Sequence, residues 1–152
     1  MSNYSATIRW QRDSADFLAN KYSRAHVWQF DGGLEIAASA SPHIVPSPWS
    51  LEENVDPEEA FVAALASCHM LFFLSIAVEQ ELQVDSYVDH AVGKMAKDDR
   101  GKIAITRVTL TPQVEFSGSV LPAPETVESI HHLAHEQCFI ANSVKTQIVI
   151  EL

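Results

Sequence analysis

A length of 152 residues is one domain's worth, and 47% hydrophobic against 20% charged residues excludes global disorder. Ten Lys and Arg against 20 Asp and Glu give a formal charge of -10 with no basic run, so neither nucleic acid nor an anionic membrane is an expected partner. Two cysteines, Cys68 and Cys138, exclude a disulfide scaffold. From the start of the chain, Tyr4 to Trp10 alternates as a strand does, with Tyr4, Ala6, Ile8 and Trp10 on one face. The beginning lacks an apolar leader-like run, so a reducing cytoplasm and free thiols are expected. Tyr22 to Phe30 alternates again, Asp31-Gly32-Gly33 signals a turn, and Leu34 to Ala40 can return as its hairpin partner. Ser41 to Glu53, with prolines at 42, 46 and 48, reads as an extended loop.

Asp56-Pro57-Glu58-Glu59 opens a helix expected to run to about Leu82. Asp56 suits the N-cap, Pro57 the first helical position, and the two glutamates the positive end of the helix dipole. Val84 to Phe116 reads as two long strands around the turn Asp98-Asp99-Arg100-Gly101. Pro122 and Pro124 precede a second helix from Glu125 to about Cys138, and Val144 to Leu152 closes the chain as a strand. The expected order is β-β-β, long α, β-β, α, β in one domain spanning 1–152. Its class is α+β, because the strands come as hairpins and not as βαβ units.

Ala60 to Val78 holds no Asp, Glu, Lys or Arg over 19 residues, long enough to cross a bilayer. Its flanks are acidic (Asp56, Glu58 and Glu59 before it, Glu79 and Glu81 after it), and no Lys or Arg anchors either end. Five alanines, two serines and His69 interrupt it. The segment is therefore expected to be a soluble helix buried on most sides, which a dimer interface achieves more easily than one small domain.

Cys68, near the middle of this helix, and Cys138, at the end of the second helix, are either buried structural thiols or reactive ones. His131 and His135 share a helical face, and with Cys68, His69 and Cys138 they offer soft metal ligands, but the intervals match no zinc spacing. His132 makes the segment simply His-rich, and no metal is expected. No Gly-rich phosphate loop and no G-x-S-x-G elbow occurs.

The run Asp56-Pro57-Glu58-Glu59-Ala60-Phe61-Val62-Ala63-Ala64-Leu65-Ala66-Ser67-Cys68, with Glu58 ten residues before Cys68, resembles the OsmC/Ohr family of osmotically inducible and organic hydroperoxide resistance proteins. So does Cys138-Phe139-Ile140-Ala141-Asn142 followed by a terminal strand. The resemblance implies antiparallel sheets wrapped around a long central apolar helix in an intertwined homodimer. It also implies a peroxidase that reduces organic hydroperoxides through a Cys68 sulfenic acid and a Cys68–Cys138 disulfide. An external dithiol would restore the thiols, with no cofactor. A thiol of pKa about 8.5 needs a cation to hold its thiolate, and in the family an arginine held by the residue matching Glu58 does this. Arg24 is the first choice for that arginine, on the strand face with His26 and Trp28; Arg12 is second and Arg9 third. Met70, Leu71, Phe72 or Phe73 would line an apolar pocket or simply fill the core.

Three places depart from the family pattern. His69 follows Cys68 where an apolar residue is usual, Phe139 follows Cys138 where proline is common, and no motif places the arginine. His69 either tunes the thiolate or caps a cluster with His131 or His135. Two other functions compete: a non-catalytic protein of the same fold binding a small apolar ligand or thiol compound, and a metal–thiolate protein.

Overall fold

The computed structural model describes residues 1–13 and 15–152. The chain forms two compact units, Met1–Ala60 and Phe61–Leu152.

The first unit is built on an antiparallel meander, β1 (Ala6–Arg9), β2 (His26–Phe30) and β3 (Glu35–Ala38), in that order across the sheet. Trp28 of β2 lies opposite both Ile8 and Ile36. The turn falls where Asp31-Gly32-Gly33 signals it, and Gly33 takes the left-handed backbone (φ 84°) that closes it. The expected strands are shorter than their alternation. Before β2, Tyr22 instead joins Trp10 and Phe17 in an aromatic cluster, its ring 5.5 Å from Trp10 and 4.6 Å from Phe17. The proline-bearing loop returns to the sheet edge, where Val55 bridges Ala38 and the Leu51 N–H donates to Ser39 Oγ. The unit ends in a capping box. The Glu59 N–H donates to Asp56 Oδ1 (2.8 Å), and the Asp56 N–H donates to Glu59 Oε1 (2.9 Å). Two helix-terminal donors are thereby satisfied reciprocally.

That box starts α1 (Pro57–Glu79). The helix stops three residues short of the expected Leu82, because Glu81 turns left-handed (φ 57°). The Leu82 N–H then donates to the Ala77 carbonyl and the Glu81 N–H to that of Val78. This is a Schellman closure made without glycine.

The second unit corrects the expectation of two long strands. Each breaks once, giving β4 (Gln83–Asp89), β5 (Val92–Lys97), β6 (Ile103–Leu110) and β7 (Pro112–Ser117). β4 pairs only with β7, and β5 with β6. The breaks meet at one corner, where the Thr111 N–H donates to Asp89 Oδ1 and Thr111 Oγ1 donates to the His90 carbonyl. Pro112, with no N–H to give a continuing ladder, begins β7. The turn at Asp98–Gly101 forms as expected: Asp98 Oδ1 accepts from the Arg100 and Lys102 N–H groups. The second helix is α2 (Pro124–Gln137), followed by a short 3-10 turn (Ala141–Ser143) and β8 (Gln147–Ile150). β8 lies parallel to β6, a pairing that hairpin logic alone does not foresee. The class is α+β, and the sheet order β5-β6-β8 contains one parallel pair.

Two clusters form the interior of this unit. Phe73, Ile76, Ala77 and Leu82 pack on Ile130 and Ala134 of α2, with Val84, Tyr87, Val114 and Phe116 from β4 and β7. Leu65 packs on Val108 and Leu110 of β6, with Ile105, Ile148 and Ile150 around them.

Candidate active site

α1 turns Leu65, His69, Phe73 and Ala77, each four residues apart, into the interior. α2 turns Val127, Ile130, His131, Ala134 and Cys138 inward by the same logic, of which Ile130, His131, Ala134 and Cys138 are buried. Where these faces meet, two pairs of like residues stand together.

The first pair is Cys68 and Cys138. Both are free thiols, 70 residues apart in sequence (138 minus 68), and they lie close enough for the Cys68 thiol to perturb that of Cys138. Cys138 is 1% exposed, whereas Cys68 is half-buried. Burial, followed by the neighbouring Cys68 thiol, pushes the Cys138 thiol up to about 11. The Ala141 N–H, pointing at Cys138 Sγ from 3.4 Å, pulls the other way and does not prevail. One helical turn after Cys68, the ring of Phe72 meets Phe139 edge to face at 5.0 Å, so aromatic rings flank the thiols.

The second pair is His69 and His131, at 1% and 2% exposure. His69 Nε2 and His131 Nδ1 are 3.0 Å apart, with the rings parallel. Burial holds both rings down to about 4, assisted at His69 by the neighbouring imidazoles of His131 and His135. The pair is therefore neutral at pH 7, one ring donating and the other accepting. The outer nitrogens, His69 Nδ1 and His131 Nε2, are buried without a hydrogen-bond partner, as is the hydroxyl of neighbouring Tyr87. Burial, with the Asp89 charge behind it, pushes the Tyr87 hydroxyl upward. His132 points outward to Glu136. Among the described residues no three His, Cys, Asp or Glu side chains converge as a metal would require.

The other expected site residues lie in the first unit. Arg24 is half-buried, and its guanidinium is engaged locally. Nη1 donates to the Tyr22 carbonyl (2.6 Å), Nη2 donates to Asn20 Oδ1 (2.6 Å), and Cζ sits 3.6 Å over the Tyr22 ring. Glu58 stands half-buried in the first turn of α1 and forms no ion pair among the described residues. Arg9 pairs with Glu35, and Arg12 is exposed. Sequence reasoning left the partner of His69 open between His131 and His135, and the structure sets it against His131. The available signal was the place of His131 on the stripe of Val127, Ile130 and Ala134, where His132 does not fall.

Fold and site define a mixed α+β protein with two juxtaposed thiols, one on α1 and one immediately after α2. Residues 51–152 match the model of the OsmC-like protein family, and the chain belongs to that family. It is similar over 99% of both chains to an OsmC-like protein of unknown function from Vibrio cholerae O1 biovar eltor, at 60% identity and a TM-score of 0.98. Its fold is also that of an organic hydroperoxide resistance protein from Elizabethkingia anophelis, at 15% identity and a TM-score of 0.72 over 100% and 94% of the two chains. The organic hydroperoxide resistance protein OhrB of Bacillus subtilis gives 19%, 0.67, and 99% and 98%. Among curated proteins none matches the chain.

Proposed function

We propose that the protein is a thiol-dependent peroxidase reducing organic hydroperoxides, within the redox and stress role to which its family membership points. The observation that carries this reading is the nearness of the Cys68 thiol to that of Cys138, 70 residues on in sequence. The accessible thiol acts first. The Cys68 thiolate attacks the terminal oxygen of ROOH, an S–O bond forms, the O–O bond breaks, and the alkoxide takes a proton and leaves as ROH. Cys138, buried and held protonated, cannot compete for that role. It then attacks the Cys68 sulfenic acid, the S–S bond forms, and the hydroxyl leaves with the Cys138 proton as water. An external dithiol reduces the disulfide and is itself oxidised. A guanidinium is needed at the thiolate. Arg24 with Glu58 is the proposed source, and to serve it Arg24 must exchange its bonds to Asn20 and Tyr22.

The working form is proposed to be a homodimer in a reducing cytoplasm. Only 28% of the most apolar stretch of α1 is buried, and Ala64, Ser67, Leu71, Ser75 and Val78 leave an uncharged exposed stripe at intervals of three and four residues. A second copy of that stripe would cover it. The local engagement of Arg24 favours one other reading, a protein of the same fold that binds a small ligand without turnover.

Thiol counting separates the two. With one equivalent of cumene hydroperoxide, two thiols per chain should disappear without an intermolecular crosslink, and Cys68→Ser should consume no peroxide. Full turnover by Cys68→Ser overturns the mechanism. Unchanged thiols in the parent chain, with a ligand-dependent rise in Tm, would establish the binding reading instead.

A further inference from the structure

Between β7 and α2 lies a cleft of about 480 Å³, within the range that holds small organic molecules. Nine residues line it, and only His131 is polar. Val114 and Phe116 come from β7, Pro124 and Val127 from α2, and Leu121 from the segment joining them. Neither cysteine lines the cleft, so its occupancy is independent of the redox reading.

His131 brings a particular kind of polarity. Its Nδ1 is committed to His69, and its Nε2, the other end of the pair, has no partner but is sealed from solvent, so a ligand in the cleft must part the apolar side chains over it to reach it. In a neutral pair sharing one proton between rings, two arrangements exist. If His69 Nε2–H donates, His131 carries its proton on Nε2 and offers a donor. If His131 Nδ1–H donates, Nε2 is bare and offers an acceptor. The free end can thus take either role, provided the far end at His69 takes the other. An apolar surrounding makes an unmet polar atom costly, which favours a ligand group that answers both arrangements.

We infer that the β7–α2 cleft binds a neutral aliphatic molecule carrying one hydroxyl group, with His131 Nε2 as its polar contact. A hydroxyl both donates and accepts, so it meets either tautomer, whereas a carbonyl oxygen meets only one. A carboxylate is a poor match, because no cationic side chain lines the cleft and burial keeps the imidazole from charging.

The test is a titration of the isotope-labelled full chain with 1-octanol and, separately, octanoate. It follows the ring nitrogens of His131 and the methyl groups of Val114 and Val127 by NMR. 1-Octanol should shift all of these saturably and bind at least tenfold more tightly than octanoate. Val127→Trp, which fills the cleft and leaves the histidine pair intact, should weaken 1-octanol binding at least tenfold, and His131→Phe should do the same. Should His131→Phe fail to fold, Val127→Trp carries the test alone. No saturable shift up to the solubility limit, an affinity unchanged in a folded variant, or tighter binding of octanoate would overturn the inference.

Discussion

The two halves of the uncharged stretch of α1, Ala60 to Val78, meet different interiors. The N-terminal half sets Leu65 against Val108 and Leu110, an aliphatic cluster closed by β6 and β8. The C-terminal half sets His69 and Phe73 against α2 and the β4–β7 pair, where rings predominate. Phe73 lies 4.3 Å from His131, 5.5 Å from Tyr87 and 6.3 Å from Phe116. One half is aliphatic packing; the other encloses two imidazoles that bond each other but leave their outer nitrogens, and the Tyr87 hydroxyl, without partners. Cys68 sits at the boundary. A helix apolar on all sides takes its character from its neighbours, not from its own sequence.

The largest break in this contrast is expected from Phe73→Ala. It removes the ring on which the aromatic half converges and should cost about 3–5 kcal/mol of stability, by urea denaturation. Leu65→Ala should cost less, and a larger loss there would reverse the contrast. Next comes pH. The folded state holds His69 and His131 at about 4, below the ordinary 6.5, so unfolding takes up protons in acid. The stability is fully present above pH 6.5 and falls as pH drops toward 4, and the loss amounts to about 3 kcal/mol at pH 4 for one such site. The double variant His69→Leu with His131→Phe should flatten that window; an unchanged pH profile would show that the pair does not stay neutral. Gly93→Ala tests the aliphatic half. A Cβ there would stand 2.6 Å from Val62 Cγ2, and a β-branched side chain yields little. A loss of about 1–3 kcal/mol is expected, with partial rescue by Val62→Ala. The smallest effect belongs to the helix end. Glu81→Gly removes the cost of a left-handed non-glycine residue and should raise stability by roughly 0.5 kcal/mol, visible as a small increase in the urea midpoint.

Legibility followed locality. Asp56 and Glu59 announced the start of α1 because a capping box lies within four residues. The corner at Asp89 and Thr111 was hidden because β-formers run through it and nothing in the alternation marks a change of sheet. β8 was readable as a strand, but its parallel place beside β6 depends on contacts 40 residues away, Arg107 opposite Gln147. At the site, spacing alone could not join Cys68 to Cys138; the resemblance supplied that expectation, and the packing of α1 on α2 makes the two thiols neighbours. Glu81 looked like ordinary helix, since nothing but glycine signals a left-handed cap. Arg24 looked available on a strand face, but Asn20 and Tyr22 hold it.

The 70-residue interval between the thiols also sets a schedule. At roughly 5–20 residues per second of synthesis, Cys138 follows Cys68 by about 4–14 s. During that interval the newborn chain carries a lone thiol on a helix whose α2 and β8 neighbours do not yet exist. Any oxidant reaching it then meets a cysteine with no partner to trap the sulfenic acid. The nascent chain is thus the stage at which irreversible oxidation would strike, before the molecule possesses the chemistry proposed to undo it.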